Sequence, residues 1–277
     1  GESTRPGSNP VDENDQINRV CPVISALSSL DKKIVVSVDT RRMNKIKSID
    51  KENLLVTVQA GITGKQLEEE LHKKGYTVGH EPDSIELSTL GGWIATRSGG
   101  HYATNHTHID DFIESVRAVT PTGIWESRRL PGSGAGPSPD RLMIGSEGIF
   151  GIITEAWMRV QARPVFRASA GVVFPTFEAG AEATRLIAQA KLWPANCRLL
   201  DPGEASDAAA LDGQNALLVI GFESADIPQQ DFMREAIDLA RQSGGTIDDS
   251  DIRLSDGSES STGRKGTVGE WRNSFLR

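Results

Sequence analysis

The amino-acid sequence reads as an α+β fold with a change of rhythm near Arg163–Pro164. Before that point, short β-branched runs alternate with a few amphipathic stretches. After it, the order becomes strand, helix, strand, strand, helix, which lays two helices on one antiparallel sheet in the manner of a ferredoxin-like domain. A chain of 277 residues is long enough for two cores. The expected division is an irregular segment 1–33, a first domain 34–163 and a second domain 164–277.

Residues 1–33 carry Pro6, Gly7, Pro10 and many Asp, Glu and Asn, and read as loop. Ile34–Val38 is β-branched and predicts a strand, and Leu54–Val58 predicts a second. The next helix is announced by Thr63 and Gln66 at capping-box spacing, with Ile62 and Leu67 placed as a hydrophobic staple. Glu69 with Lys73 and Glu70 with Lys74 are spaced to pair along it, and Gly75 stops it. Val116–Val119, the turn Pro121-Thr122-Gly123 and Ile124–Glu126 predict a hairpin. Asp140–Ile144 predicts a short helix and Gly151–Val160 a strand, which Pro164 brings to an end. In the second domain strands are expected at Ala168–Phe174, Cys197–Leu200 and Leu217–Phe222, and helices at Phe177–Lys191 and Gln229–Ser243. Ser255–Gly269 is Ser/Gly-rich and predicted to be flexible.

Composition narrows the function. A net charge of -8 argues against nucleic acid or an anionic membrane as the main partner, while leaving room for a local basic pocket. No apolar run reaches the length of a membrane-spanning helix. Cys21 and Cys197 make no disulfide framework, which favours a reducing compartment. The chain opens and closes in mid-pattern, and both ends read as cut.

Two segments could carry chemistry. The first runs through Gly79-His80-Glu81-Pro82-Asp83-Ser84 and Ser88-Thr89-Leu90-Gly91-Gly92-Trp93 to Gly100, a connection of hydroxyls, small residues and glycines with little to bury. Such backbone can approach a diphosphate closely, or it can be a tight turn between core elements. The second is Gly145-Ser146-Glu147-Gly148-Ile149-Phe150-Gly151, either a turn into a strand or a backbone laid against a planar ring. His101, His106 and His108 with Asp110 and Asp111 could be drawn as a metal site, but a polar loop is the preferred reading and no metal is expected. Gly132–Gly136 and Thr262–Thr267 miss the dinucleotide and P-loop spacings.

These two segments, with Ala60-Gly61-Ile62-Thr63-Gly64 before them, resemble the FAD-binding domain of alkyldihydroxyacetonephosphate synthases and their bacterial FAD-linked oxidase relatives. His80-Glu81-Pro82-Asp83-Ser84, Gly91-Gly92-Trp93 and Gly145-Ser146-Glu147-Gly148 carry the resemblance, and Trp271-Arg272 and Phe275 fit a later motif of the family. It implies the second subdomain of a PCMH-type FAD-binding domain, of the vanillyl-alcohol-oxidase kind, with a mixed sheet, followed by part of a ferredoxin-like substrate cap. It implies FAD contacts from Asp83, Ser84, Ile85, Glu86, Leu87, Ser88 and Thr89, from Thr96, Arg97, Ser98 and Gly99, and from Glu147, Gly148, Ile149, Phe150, Gly151, Ile152 and Ile153. It also implies catalytic roles for His80, beside the flavin, and Arg198, which matches an arginine that holds the substrate phosphate. From the residues alone, Arg198 reads as a surface ion pair and His80 as a hydrogen-bonded loop histidine.

The function so implied is exchange of the acyl group of acyl-dihydroxyacetone phosphate for a fatty alcohol, a step of ether-lipid biosynthesis, on a lipid-derived phosphorylated substrate. The alternative is FAD-linked oxidation of a 2-hydroxy acid or small alcohol, to which the stretch His101–Asp111 looks closer. The family also uses an upstream glycine-rich loop and a downstream tyrosine and histidine cluster, neither of which this sequence contains; an inactive fragment that binds FAD weakly is therefore a third expectation. A homodimer is compatible with the resemblance. The compartment would be intracellular: peroxisomal for a eukaryotic synthase, cytoplasmic for a bacterial relative.

Overall fold

The computed structural model describes residues 36–105, 108–130, 135–209, 211–255 and 257. One compact unit comprises residues 1–39 and a second comprises residues 40–277, which holds every element below. The expectations for residues 1–33, Gly132–Gly134 and Thr262–Thr267, most of Ser255–Gly269, and the Trp271 and Phe275 motif lie outside the described residues.

The first sheet has the order β1-β2-β6-β4-β5: β1 Ile46–Asp50, β2 Leu55–Gln59, β4 Ile113–Thr120, β5 Gly123–Glu126 and β6 Ile152–Arg159. Every pair in it is antiparallel, not mixed as the sequence led us to expect. Short connections dictate this for β1–β2 and β4–β5. Asp50 Oδ1 accepts from the backbone N–H of Glu52 and Asn53 to turn β1 back as β2, and Thr120 pairs with Gly123 to close the β4–β5 hairpin. β1 itself was not anticipated, because its charged Lys47 and Asp50 interrupt the apolar signal. The strand expected at Ile34–Val38 is not found: residues 36–38 are irregular, with Val36 and Val38 exposed, and Ile34 and Val35 lie outside the described residues.

The core of this domain is a set of cross-strand rows. Val56 lies opposite Met158, which lies opposite Ile113; Val58 lies opposite Ala156, which lies opposite Val116. All six are buried, as are Leu67 and Leu71 of helix α1, Gly64–His72. Removing each leucine from water contributes about 1.5–3 kcal/mol. The capping box forms as expected: Thr63 Oγ accepts from Gln66 N, and Gln66 Oε1 accepts from Thr63 N. The charge pairing differs. Lys73 bonds Glu70 one turn back at 2.6 Å, and Glu68 pairs instead with His72.

Helix α2, Leu90–Thr96, corrects the expectation of a connection with little to bury: Leu90, Trp93 and Ile94 enter the core. Its Gly91-Gly92 pair hid it. Gly91 is required by packing, since a Cβ there would lie 2.9 Å from that of Ala60. The short helix α3, Asp140–Met143, was expected, and a two-stranded ladder joins β3, Tyr76–Thr77, to β7, Gln161–Ala162.

The second sheet contains β8 Phe166–Phe174, β9 Asn196–Leu200, β10 Ala216–Ser224 and β11 Arg253–Leu254, interleaved with α4 Phe177–Gln189, α5 Pro202–Ala209 and α6 Gln230–Gln242. Its order, β11-β8-β10-β9, is fourth-first-third-second along the chain, which is the ferredoxin-like arrangement. Ala170, Val172, Leu218 and Ile220 pack under Ile187 of α4 and Met233 and Ile237 of α6. On the opposite face Leu200, Leu217 and Val219 meet Ala205 and Ala209 of α5, a helix the sequence reading missed. Arg198 lies opposite Val219 and Asn196 opposite Gly221, so both β9 side chains share the α5 face.

Candidate functional site

Helix α2 is the axis of the site. The segment 83–89 lies at its start. Its turn is closed by bonds from Ile85 N to Pro82 O, Leu87 N to Ser84 O and Ser88 N to Ser84 O. Ser84 and Ser88 bond each other, and the Trp93 indole donates to Ser88 Oγ at 2.7 Å. Gly64 N and Lys65 N donate to Ser88 O and Ile85 O, tying the turn to α1. Thr89 caps α2 through Gly92 N, and Glu86 pairs with Lys65. Asp83, Ser84, Glu86 and Leu87 are exposed, whereas Ile85 packs on the core.

The segment 145–151 lies at the other end of α2. Gly145 N donates to Ile94 O at 2.9 Å and Glu147 N to Ala95 O at 2.8 Å. The two glycine-bearing segments therefore flank one helix. Glu147 (φ 51) and Gly148 (φ 85) are left-handed, and Ile149, Phe150 and Ile152 are exposed. Ile153 points into the core, so like Ile85 it can offer a ligand only backbone. Among the described residues, the backbone N–H groups of Gly148, Phe150 and Gly151 donate to no protein acceptor.

Arg97 ends α2 in the left-handed region at φ 54, which costs a non-glycine residue about 1–2 kcal/mol. Its guanidinium offsets that strain by giving Nε and Nη2 to Asp110 Oδ2 at 3.2 and 2.8 Å, and Arg141 engages the same oxygen. Among the described residues, Asp110 Oδ1 is buried without a partner. Thr96 bonds back to Gly92 O, and Gly99 is exposed beside it. Asp110 drew notice only as a possible metal ligand and Arg141 not at all; a charged pair 31 positions apart leaves no spacing signal.

His80 is buried under α2 with its ring edge-on to Trp93 at 5.0 Å and near Phe112 at 5.8 Å. Its Nε2 shares a hydrogen bond with Ser98 Oγ at 2.9 Å. Burial pushes its pKa down to about 4, against the nearby Glu68 charge, which raises it, and His108, which lowers it further. The imidazole is therefore neutral at pH 7.

Arg198 reaches the same region from the second sheet. Its Nη1 lies 3.4 Å from His101 Nδ1, its Nη2 donates to Glu204 Oε1 at 3.2 Å, and His101 Nε2 bonds Asp83. Asn196 Nδ2 donates to His101 O at 2.9 Å. The expected surface ion pair of Arg198 thus exists, and it sits beside segment 83–89. Neighbouring Cys197 faces the helix side, where burial pushes its thiol up to about 11.

A helix flanked by two glycine-bearing turns lies on an antiparallel sheet and is followed by a ferredoxin-like domain, and each part matches a known flavin-dependent domain. Residues 23–127 match an FAD binding domain, and residues 163–261 match the C-terminal domain of FAD linked oxidases. The chain thus carries matches to both an FAD binding domain and the C-terminal domain of FAD linked oxidases, and these support FAD as its cofactor. The chain is similar to alkyldihydroxyacetonephosphate synthases. It is 44% identical to that of Dictyostelium discoideum over 63% of this chain and 28% of the relative. It is 40% identical to that of Caenorhabditis elegans over 62% and 29%. A solved synthase structure superposes with a TM-score of 0.72 at 31% identity, over 89% of this chain and 48% of that one. The chain spans less than a third of the length of these curated relatives.

Proposed function

We propose that this chain serves an FAD-dependent exchange in which a fatty alcohol replaces the acyl group of acyl-dihydroxyacetone phosphate. The observation that carries the reading is Arg198: a guanidinium of the second domain is held through His101 against Asp83 in the segment assigned to the cofactor. That position suits a substrate whose anionic group must be fixed while its carbon chain meets the flavin. Guanidinium can grip a phosphate through two parallel bonds.

The chain's donor set suits the cofactor as well. The N–H groups of Gly148, Phe150 and Gly151 offer hydrogen bonds to a dinucleotide's diphosphate and ribose oxygens, and the exposed Ser84 Oγ, whose proton goes to Ser88, can accept from a ribose hydroxyl. Bound FAD supplies the electron-accepting ring on which the exchange depends. His80, neutral and fixed by Ser98, provides a hydrogen-bonding group without a charge; Trp93 and Phe112 keep water from it. Among the described residues no helix is long and apolar enough to cross a membrane.

Arg198→Lys should raise the Michaelis constant for acyl-dihydroxyacetone phosphate about tenfold or more, since a charge-assisted hydrogen bond is worth about 1.5–3 kcal/mol. FAD content should be unchanged. An unaltered constant removes Arg198 from phosphate binding. A defect confined to a 2-hydroxy acid moves the chain to the oxidases, with Arg198 holding a carboxylate.

A further inference from the structure

We infer that His101 is a positioning residue that sets the orientation of Arg198 and couples it to the cofactor-side segment. The inference rests on the reading of Arg198 as the residue that binds the substrate anion.

Both ring nitrogens of His101 are engaged, and their partners fix the tautomer. Arg198 Nη1, 3.4 Å from Nδ1, is always a donor, so Nδ1 is the acceptor. The ring proton is therefore on Nε2, where it is donated to the Asp83 carboxylate. The imidazole side chain is largely buried, at 16% exposure, so water competes weakly for these bonds. Its backbone is seated too: His101 N donates to Glu81 O at 2.9 Å, and His101 O accepts from Asn196 Nδ2 at 2.9 Å. A side chain at Gly100 would press on the Glu81 backbone at 3.0 Å, so the adjacent glycine lets residue 101 come this close.

The strand geometry makes the contact specific. Asn196 and Arg198 are two residues apart on β9, so they project from one face and meet the same histidine. Arg198 is thereby held between two acceptors, Nδ1 of His101 on one side and Glu204 on the other. Held from both sides, the guanidinium presents a fixed fork, which favours two-point recognition of a phosphate. Among the described residues, Asn196 Oδ1 is buried beside it with no donor.

The test compares His101→Ala, His101→Asn and Arg198→Lys in the flavin-loaded protein with acyl-dihydroxyacetone phosphate. An asparagine carbonyl stands near the place of Nδ1 but does not extend to Asp83, so it keeps the acceptor for Arg198. His101→Ala should raise the Michaelis constant about tenfold, change kcat by less than threefold and leave FAD content alone; His101→Asn should recover most of the loss. If His101→Ala leaves the constant at the wild-type value while Arg198→Lys raises it, the inference fails and the Arg198 reading stands. Should His101→Asn be as impaired as His101→Ala, the link does not run through the acceptor and the inference fails. No effect of Arg198→Lys overturns the underlying reading and this one with it. Nitrogen NMR of labelled wild-type histidines, with the His101 signal assigned by its loss in His101→Asn, checks the geometry without turnover. At neutral pH it should report a proton on Nε2; a proton on Nδ1 contradicts the inference.

Discussion

Gly64→Ala should destabilise the first domain by about 1–3 kcal/mol, against what helix propensity alone dictates. Gly64 opens α1 with an ordinary backbone, where alanine would normally add up to about 1 kcal/mol. Packing reverses the sign. A Cβ at this position would lie 2.4 Å from two ring carbons of Trp93 and 2.6 Å from Ile85 Cγ1. Trp93 is buried, donates to Ser88 and abuts His80, so moving it disturbs the turn 83–89 as well as the core. Urea unfolding should show a lower midpoint at unchanged slope, together with weaker FAD retention. A variant as stable as the parent, or more so, shows that the tryptophan yields freely and does not hold the segment.

Acid should weaken the fold through His80. Its folded pKa of about 4 lies below the ordinary 6.5, so the folded state refuses a proton that the unfolded state accepts. The stabilising contribution is complete above pH 6.5 and is lost progressively as the pH falls to about 4. The shift corresponds to about 3 kcal/mol in all. His80→Phe keeps an aromatic ring against Trp93 and Phe112 but cannot be protonated. Its stability relative to wild type, measured by urea unfolding across this range, should improve by about that amount between pH 7 and pH 4. A difference that does not vary with pH means the imidazole is not held neutral by burial.

Legibility in the sequence followed physical cause. Thr63 with Gln66, the turn Pro121-Thr122-Gly123 and the apolar runs of β8 and β10 are local signals, and their elements appear close to where they were read. α2 was hidden because Gly91-Gly92 lowers helix propensity, and only contact with Ala60 explains Gly91. β1 was hidden because an edge strand with Lys47 and Asp50 has no apolar alternation. Residues 36–38 show the converse, a β-branched run that forms no strand among the described residues. The glycine-bearing segments were visible as composition, and their adjacency came from bonds to Ile94 and Ala95 that no sequence pattern encodes. Arg198 was found by resemblance, whereas its partners His101 and Asn196 became apparent only when β9 was set against the first domain.

The central claim is exchange at a flavin site, and product chemistry together with the flavin spectrum tests it most directly. Flavin-loaded protein would be incubated without oxygen with acyl-dihydroxyacetone phosphate and an isotope-labelled long-chain alcohol. The account predicts a labelled alkyl ether of dihydroxyacetone phosphate, release of fatty acid and flavin that is oxidised at the end of the reaction. Absence of the ether, with lasting flavin bleaching by a 2-hydroxy acid, would contradict it.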